Sequence, residues 1–166
     1  MKKKLFSLAL ILFVCTSVMA EDVIYITTAQ FRERIFDYKT SKEWKYKGDK
    51  PCVVDFYTTW CGPCKAALAE SQKEYERLKK YDIIFLYLAN NSSDASWKNV
   101  IKMYNVEGEN VVHYNLPKAQ QSAIENFLGV NAFPTYKLID RNGNVLDVNA
   151  DPRDLEGLAR LLEKMK

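Results

Sequence analysis

Val53-Val54-Asp55-Phe56-Tyr57-Thr58-Thr59-Trp60-Cys61-Gly62-Pro63-Cys64-Lys65 is the stretch on which the reading of this chain turns. Its first five residues are a dense run of strand formers, which predicts a central strand covered on both faces. From Lys65 to Lys80 the pattern changes, with Ala67, Leu68, Ser71, Tyr75 and Leu78 on one helical side and charges opposite. Two cysteines therefore sit where a buried strand hands over to an amphipathic helix. A thiolate attacks a disulfide, and the thiol does so poorly. The start of a helix turns unsatisfied N–H groups and the positive dipole end toward Cys61, which favours its charged form. Cys61 is thus expected to be the exposed nucleophile and Cys64, one turn inside the helix, the buried resolving thiol. Gly62 removes bulk beside the nucleophile, and Pro63 is tolerated in the first helical turn, where its missing N–H would be unpaired anyway. Trp60 offers a flat apolar surface suited to an extended polypeptide.

Asp55 is the second informative residue. A carboxylate in the middle of that apolar run is costly to bury charged, so its pKa is expected to rise. Six residues before Cys61, it is placed to take a proton from Cys64 as that thiol attacks; the plainer reading is a strand-edge aspartate in contact with solvent. Phe133-Pro134-Thr135 precedes another strand, and proline, lacking a donor, belongs at a strand start. A cis bond there would leave backbone groups of Phe133 free to pair with a bound peptide.

Working outward, Val23 to Thr27 predicts a short first strand, and Phe31, Ile35 and Phe36 recur at helical spacing after Thr28, a candidate N-cap. Trp44 and Tyr46, in the polar stretch 42–50, are read as covering an edge of the core. Ile83 to Ala89 is a buried strand, followed by a helix capped by Ser93 or Asp94 and carrying Trp97, Ile101 and Tyr104. Val111 to Leu116 is a strand stopped by Pro117, and Ala119 to Leu128 a helix ended by Gly129. Thr135 to Ile139 and Val145 to Val148 form a hairpin around Asn142-Gly143. Asp151 as N-cap and Pro152 at the first position open a terminal helix lined by Leu155, Leu158, Ala159, Leu162 and Met165. The alternation calls for a sheet with helices on both faces.

The first 20 residues read as a secretory signal peptide: Lys2 to Lys4, an apolar stretch from Leu5 to Val14, and small residues ending at Ala20. Cleavage after Ala20 leaves one domain, residues 21–166. A retained anchor is disfavoured because a spanning helix needs about 20 apolar residues, and a lipoprotein signal because valine precedes Cys15. Without the leader's three lysines the balance is 21 basic against 21 acidic residues. No basic cluster interleaved with aromatics tracks a phosphate backbone, so no nucleic-acid partner is expected.

Three cysteines remain, Cys52, Cys61 and Cys64, too few and too odd for a disulfide scaffold. Zinc normally takes four ligands, and only Cys52 and His113 could join the pair, so no metal and no cofactor are expected. An inert structural disulfide is the other alternative to a reversible dithiol. Cys52 reads as a small buried apolar residue, and His113 as a surface or edge-strand residue without catalytic duty.

The segment from Val54 to Lys65 resembles the active-site segment of thioredoxins, and Phe133-Pro134-Thr135 resembles their cis-proline segment. The resemblance implies an α/β thioredoxin-like three-layer sandwich with a central mixed sheet. It implies Cys61 as attacking thiol, Cys64 as resolving thiol, Asp55 as proton-transfer carboxylate and Pro134 as a cis-proline facing the pair, with Trp60, Gly62, Pro63, Phe133 and Thr135 around the client. An additional helix and strand around Ser96 to Leu116 resembles the exported TlpA/ResA-like branch. That branch implies reduction of disulfides in exported proteins in the periplasm, a membrane thiol reductase as electron donor, and a monomer serving cell redox homeostasis. The chain departs from the family in two places: Ala69 stands where a kinking proline is usual, and Ile83 to Ala89 lacks the lysine that accompanies the buried aspartate. The Cys-Gly-Pro-Cys string resembles the reducing end of the superfamily; a disulfide oxidase or isomerase is the alternative direction, and a redox-linked, chaperone-like binding module the alternative class. A peroxiredoxin is disfavoured, since peroxide chemistry does not need this pair.

Overall fold

The computed structural model describes residues 24–25, 27–40, 43–146, 148 and 150–166. The expected leader, its cleavage after Ala20 and Cys15 lie outside these residues. Among the described residues no helix is long and apolar enough to cross a membrane.

The strand read from Val53 to Tyr57 is β4, Cys52–Tyr57, with every residue buried. It sits inside a six-stranded sheet with β1 (Ile24–Tyr25), β5 (Ile84–Ala89), β6 (Val111–Asn115), β7 (Thr135–Ile139) and β8 (Val145–Leu146), in the order β1-β6-β5-β4-β7-β8. The first four strands in that order are parallel, and β7 and β8 are antiparallel additions. The sheet is therefore mixed, and the expected helix and strand insertion is α4 (Asp94–Met103) followed by β6. Because side chains alternate along a strand, β4 serves two cores. Cys52, Val54 and Phe56 meet Phe31 of α1 (Thr28–Arg34) and Ile124 and Leu128 of α5 (Lys118–Leu128). Val53 and Tyr57 join Cys64 and Leu68 of α2 (Gly62–Leu68), Leu78 of α3 (Ser71–Leu78), Trp97 of α4, and Leu158 and Leu162 of α6 (Leu155–Glu163). Each fully buried aliphatic side chain here contributes about 1.5–3 kcal/mol relative to exposure. Helices thus cover both faces, as a thioredoxin-like sandwich requires.

Several local expectations are corrected. Helix α1 is capped by Thr27, not Thr28: Thr27 and Gln30 close a reciprocal capping box, while Thr28 accepts a hydrogen bond of 2.9 Å from the Tyr114 hydroxyl. Ile35 ends that helix and Phe36 opens β2 (Phe36–Thr40), which pairs with β3 (Glu43–Tyr46) in a separate hairpin. Phe36 still reaches the core, packing against Phe127 at 5.1 Å between ring centres, so its burial is met by a strand instead of a helix. The helix after the cysteines breaks at Ala69 and Glu70 without a proline, because the Glu70 N–H turns back to the Ala67 carbonyl at 2.9 Å. Helix α6 is capped by Asp154, whose carboxylate accepts the Gly157 N–H. Asp151 instead accepts from the backbone and guanidinium of Arg153, holding the turn that contains Pro152. Gly129 ends α5 in the left-handed conformation its sequence position predicts.

Candidate active site

Two elements meet at the cysteine pair. Beyond β4 the chain stays buried through Thr58 and Thr59 and surfaces at Trp60, and α2 begins immediately after Cys61, its N-cap. The Cys64 N–H points at Cys61 Sγ at 3.2 Å, so a helix-end donor that would otherwise be unpaired addresses that sulfur. Cys61 and Cys64 are joined in a disulfide. Cys61 is 9% exposed and Cys64 1%, which keeps the expected order but corrects the expectation of an openly exposed nucleophile. The covering is local: the Phe133 carbonyl oxygen lies 3.8 Å from Cys61 Sγ on the far side of the pair. Gly62 and Pro63 are exposed in the first turn, and a Cβ at Gly62 would meet nothing within 4 Å. Trp60, 64% exposed, is the large apolar surface at the rim.

The Phe133–Pro134 peptide bond is cis. Phe133 stacks on Phe56 at 5.6 Å, so its ring belongs partly to the core while its carbonyl faces the sulfurs. Thr135 opens β7 beside Phe56 and donates its hydroxyl hydrogen to the Ala132 carbonyl at 2.7 Å, tying down the loop. The structure thus brings Cys61, Cys64, Trp60, Gly62, Pro63, Phe133, Pro134 and Thr135 to one end of the sheet.

Asp55, on the face of β4 that packs with Cys64, is 8% exposed, with Oδ1 buried and without a hydrogen-bond partner. Burial raises its pKa to about 7, with a further push from the negative charge of Asp151. The place beside it on β5, in register, is Tyr87, and on β7 it is Tyr136. Among the described residues no cation neutralises it. The same row continues through His113 on β6, which stacks on Tyr87 at 5.1 Å. His113 is buried inside the sheet, correcting the surface or edge expectation: β1 covers β6 on its outer side. Its Nε2 hydrogen goes to the Val106 carbonyl at 2.7 Å, and burial lowers its pKa to about 4. Cys52 is free and fully buried in the core on the opposite face from Cys64, so the two cannot bind one ion together.

Sequence reasoning missed Glu74 and Ser92. Glu74, on α3, is 7% exposed, and burial raises its pKa to about 8, helped by the charges of Asp55, Asp151 and Glu70. Its signal was available: Glu74 stands three residues after Ser71 and four before Leu78, on the buried side. Ser92 accepts the Thr59 N–H at 3.2 Å and donates to the Asn90 carbonyl at 2.8 Å, bracing the loop that precedes Cys61. Nothing in local periodicity marks that contact across 33 residues.

This geometry has counterparts among known proteins. A family model described as thioredoxin-like matches residues 48–145. A thioredoxin of Borreliella burgdorferi is 30% identical over 120 residues, covering 72% of this chain and 78% of that protein. The thiol-disulfide oxidoreductase ResA of Bacillus thuringiensis subsp. konkukian is 26% identical over 124 residues, covering 75% of this chain and 66% of that protein. A solved structure of a thiol-disulfide oxidoreductase from Bacteroides fragilis superposes with a TM-score of 0.57 at 18% identity, covering 76% of this chain and 93% of its own. At that identity the last likeness concerns the fold.

Proposed function

We propose that this chain, which belongs to the thioredoxin-like family, is an exported thiol-disulfide oxidoreductase that reduces disulfides in other exported proteins. The observation that carries the reading is the Cys61–Cys64 disulfide at the start of α2, with the Cys64 N–H on Cys61 Sγ.

In the reduced protein the Cys61 thiolate attacks a client disulfide. A Cys61–client bond forms, and the displaced client sulfur leaves as a thiolate that takes a proton from water. Cys64 then attacks Cys61 Sγ while its proton passes to the Asp55 carboxylate. The Cys61–client bond breaks, the ring disulfide closes, and two electrons have moved from the pair to the client. Trp60 and the backbone around Phe133 and Pro134 would hold the client chain against the sulfurs. A compartment kept oxidising returns the pair to its disulfide form, so a dedicated thiol donor, such as a membrane reductase, must reduce it again. Export rests on the leader sequence and is supported by the likeness to ResA.

Insulin reduction with dithiothreitol tests the reading. The wild-type chain should accelerate it, Cys61→Ser should abolish the acceleration, and Cys64→Ser should accumulate a client joined through Cys61. Unchanged acceleration in Cys61→Ser refutes the assignment. Loss of turnover without any trapped client in Cys64→Ser would favour the binding-module alternative.

A further inference from the structure

Helix α3 turns one acidic residue toward the sheet. Ser71, Glu74 and Leu78 all face inward at helical spacing. A buried carboxylate ordinarily has a cation or several donors, because desolvating its charged form is costly. Among the described residues no hydrogen bond or cation offsets the burial of Glu74, and Asp55 Oδ1 is buried without a hydrogen-bond partner. The groups electrostatically coupled to Glu74 are Asp55 and Tyr87 from the sheet, Tyr136 from β7, Asp151 from the segment before α6, and Glu70, the residue that caps its own helix. The guanidinium of Arg153, at the edge of this group, is engaged with Asp151. The negative charge of Asp55 therefore opposes ionisation of Glu74, and among the described residues no cation pairs with either carboxyl.

Glu74 also opens outward. Together with Glu70, Lys73, Pro152, Arg153 and Leu155 it lines a cavity of about 150 Å³ between α3 and the start of α6. That space is large enough for several waters. Asp55 lies on the same face of β4 as Val53 and Tyr57, which pack in one core with Cys64.

We infer that Glu74 is the positioning residue that passes the Asp55 proton to and from solvent through this cavity. The inference rests on the redox reading above. When Cys64 attacks, its thiol proton moves to the Asp55 carboxylate, and Glu74 releases a proton to cavity water before accepting the one on Asp55. The pair thereby returns to its starting state, with one proton delivered to solvent. During re-reduction of the disulfide the same path runs inward and returns the proton to Cys64.

The test follows the carboxyl carbons of Asp55 and Glu74 by ¹³C NMR in the oxidised full chain, alongside single-turnover release of a peptide thiol from the mixed disulfide. Glu74 should titrate far above the value of about 4.3 for a free glutamate, and Asp55→Asn should move it down. Glu74→Gln should slow release near neutral pH by roughly tenfold, within what proton-transfer groups contribute, with Glu74→Asp restoring most of it. In the Asp55→Asn background Glu74→Gln should add nothing, because it acts through Asp55. A Glu74 that titrates like a surface glutamate overturns the inference without needing a variant. So does Glu74→Gln slowing Asp55→Asn as much as it slows the wild type. Failure of Cys61→Ser to abolish turnover would instead sink the redox reading itself, so the two failures are distinguishable.

Discussion

Replacing Asp55 with asparagine should change how stability depends on pH. In the unfolded chain this carboxyl titrates at its ordinary value near 3.8, and in the folded protein burial beside Asp151 carries it to about 7. Between those values the native state keeps a proton that the unfolded chain has released. Stability contributed by this group is therefore full below pH ~4 and lost as pH rises through the folded value. The ceiling on that loss is about 4 kcal/mol, which is a large part of the 5–15 kcal/mol or so that holds a domain together. Asparagine has the same shape and no ionisation, so the variant lacks this slope. Glu74 contributes a slope of the same sign but is present in both proteins, and the difference between them isolates Asp55 and its coupling. The assay is urea denaturation of the oxidised chain, followed by circular dichroism between pH 4.5 and 8.5. Asp55→Asn should gain on the wild type progressively from pH 4.5 to about 7 and then level off, by up to about 3 kcal/mol. Two curves that stay parallel to within about 0.5 kcal/mol, a typical null for an uninvolved substitution, would refute the claim that Asp55 is a desolvated carboxyl.

Two other expectations are independent of that one. His113 is held neutral, with its pKa lowered from 6.5 to about 4, so its contribution is present above pH ~6.5 and lost as pH falls toward 4; the ceiling is about 3 kcal/mol. His113→Asn should flatten that acid limb in the same denaturation series, and an unchanged limb contradicts the buried neutral imidazole. Cys52 has no exposed surface, and burial pushes its thiol up. Iodoacetamide should therefore label Cys61 in the reduced native chain and reach Cys52 only after unfolding, while Cys52→Ala should leave insulin turnover unchanged.

Much of this molecule was legible along the chain because its signals are local. The apolar run of β4, the cysteine spacing, Gly129 and Asn142-Gly143 each announce an element within a few residues. The expected site came together for the same reason: Trp60 to Cys64 form one continuous junction, and Phe133 to Thr135 another, and each is ordered by its own strand. What the sequence obscured was decided by contacts between distant segments. Phe36 satisfies its burial in a hairpin because Phe127 and Tyr46 are there to receive it. His113 reads as a lone histidine until β1 closes over β6. Ala69 suggests an unbroken helix, but the backbone turns at Glu70 and sets Glu74 facing the sheet. Glu74 is the most instructive case, since a glutamate among charges resembles a solvated face until the turn places it on the buried side of α3.

Cys61 and Cys64 are expected to form a reversible reducing pair. Equilibrating the full chain in graded dithiothreitol and glutathione buffers, then alkylating and weighing it, measures this directly. A single two-electron transition should be confined to Cys61 and Cys64, at a potential nearer the −270 mV or so of thioredoxin than the roughly −120 mV of a strong oxidant. A bond that stays closed throughout, a transition that involves Cys52, or a potential above about −150 mV would contradict it.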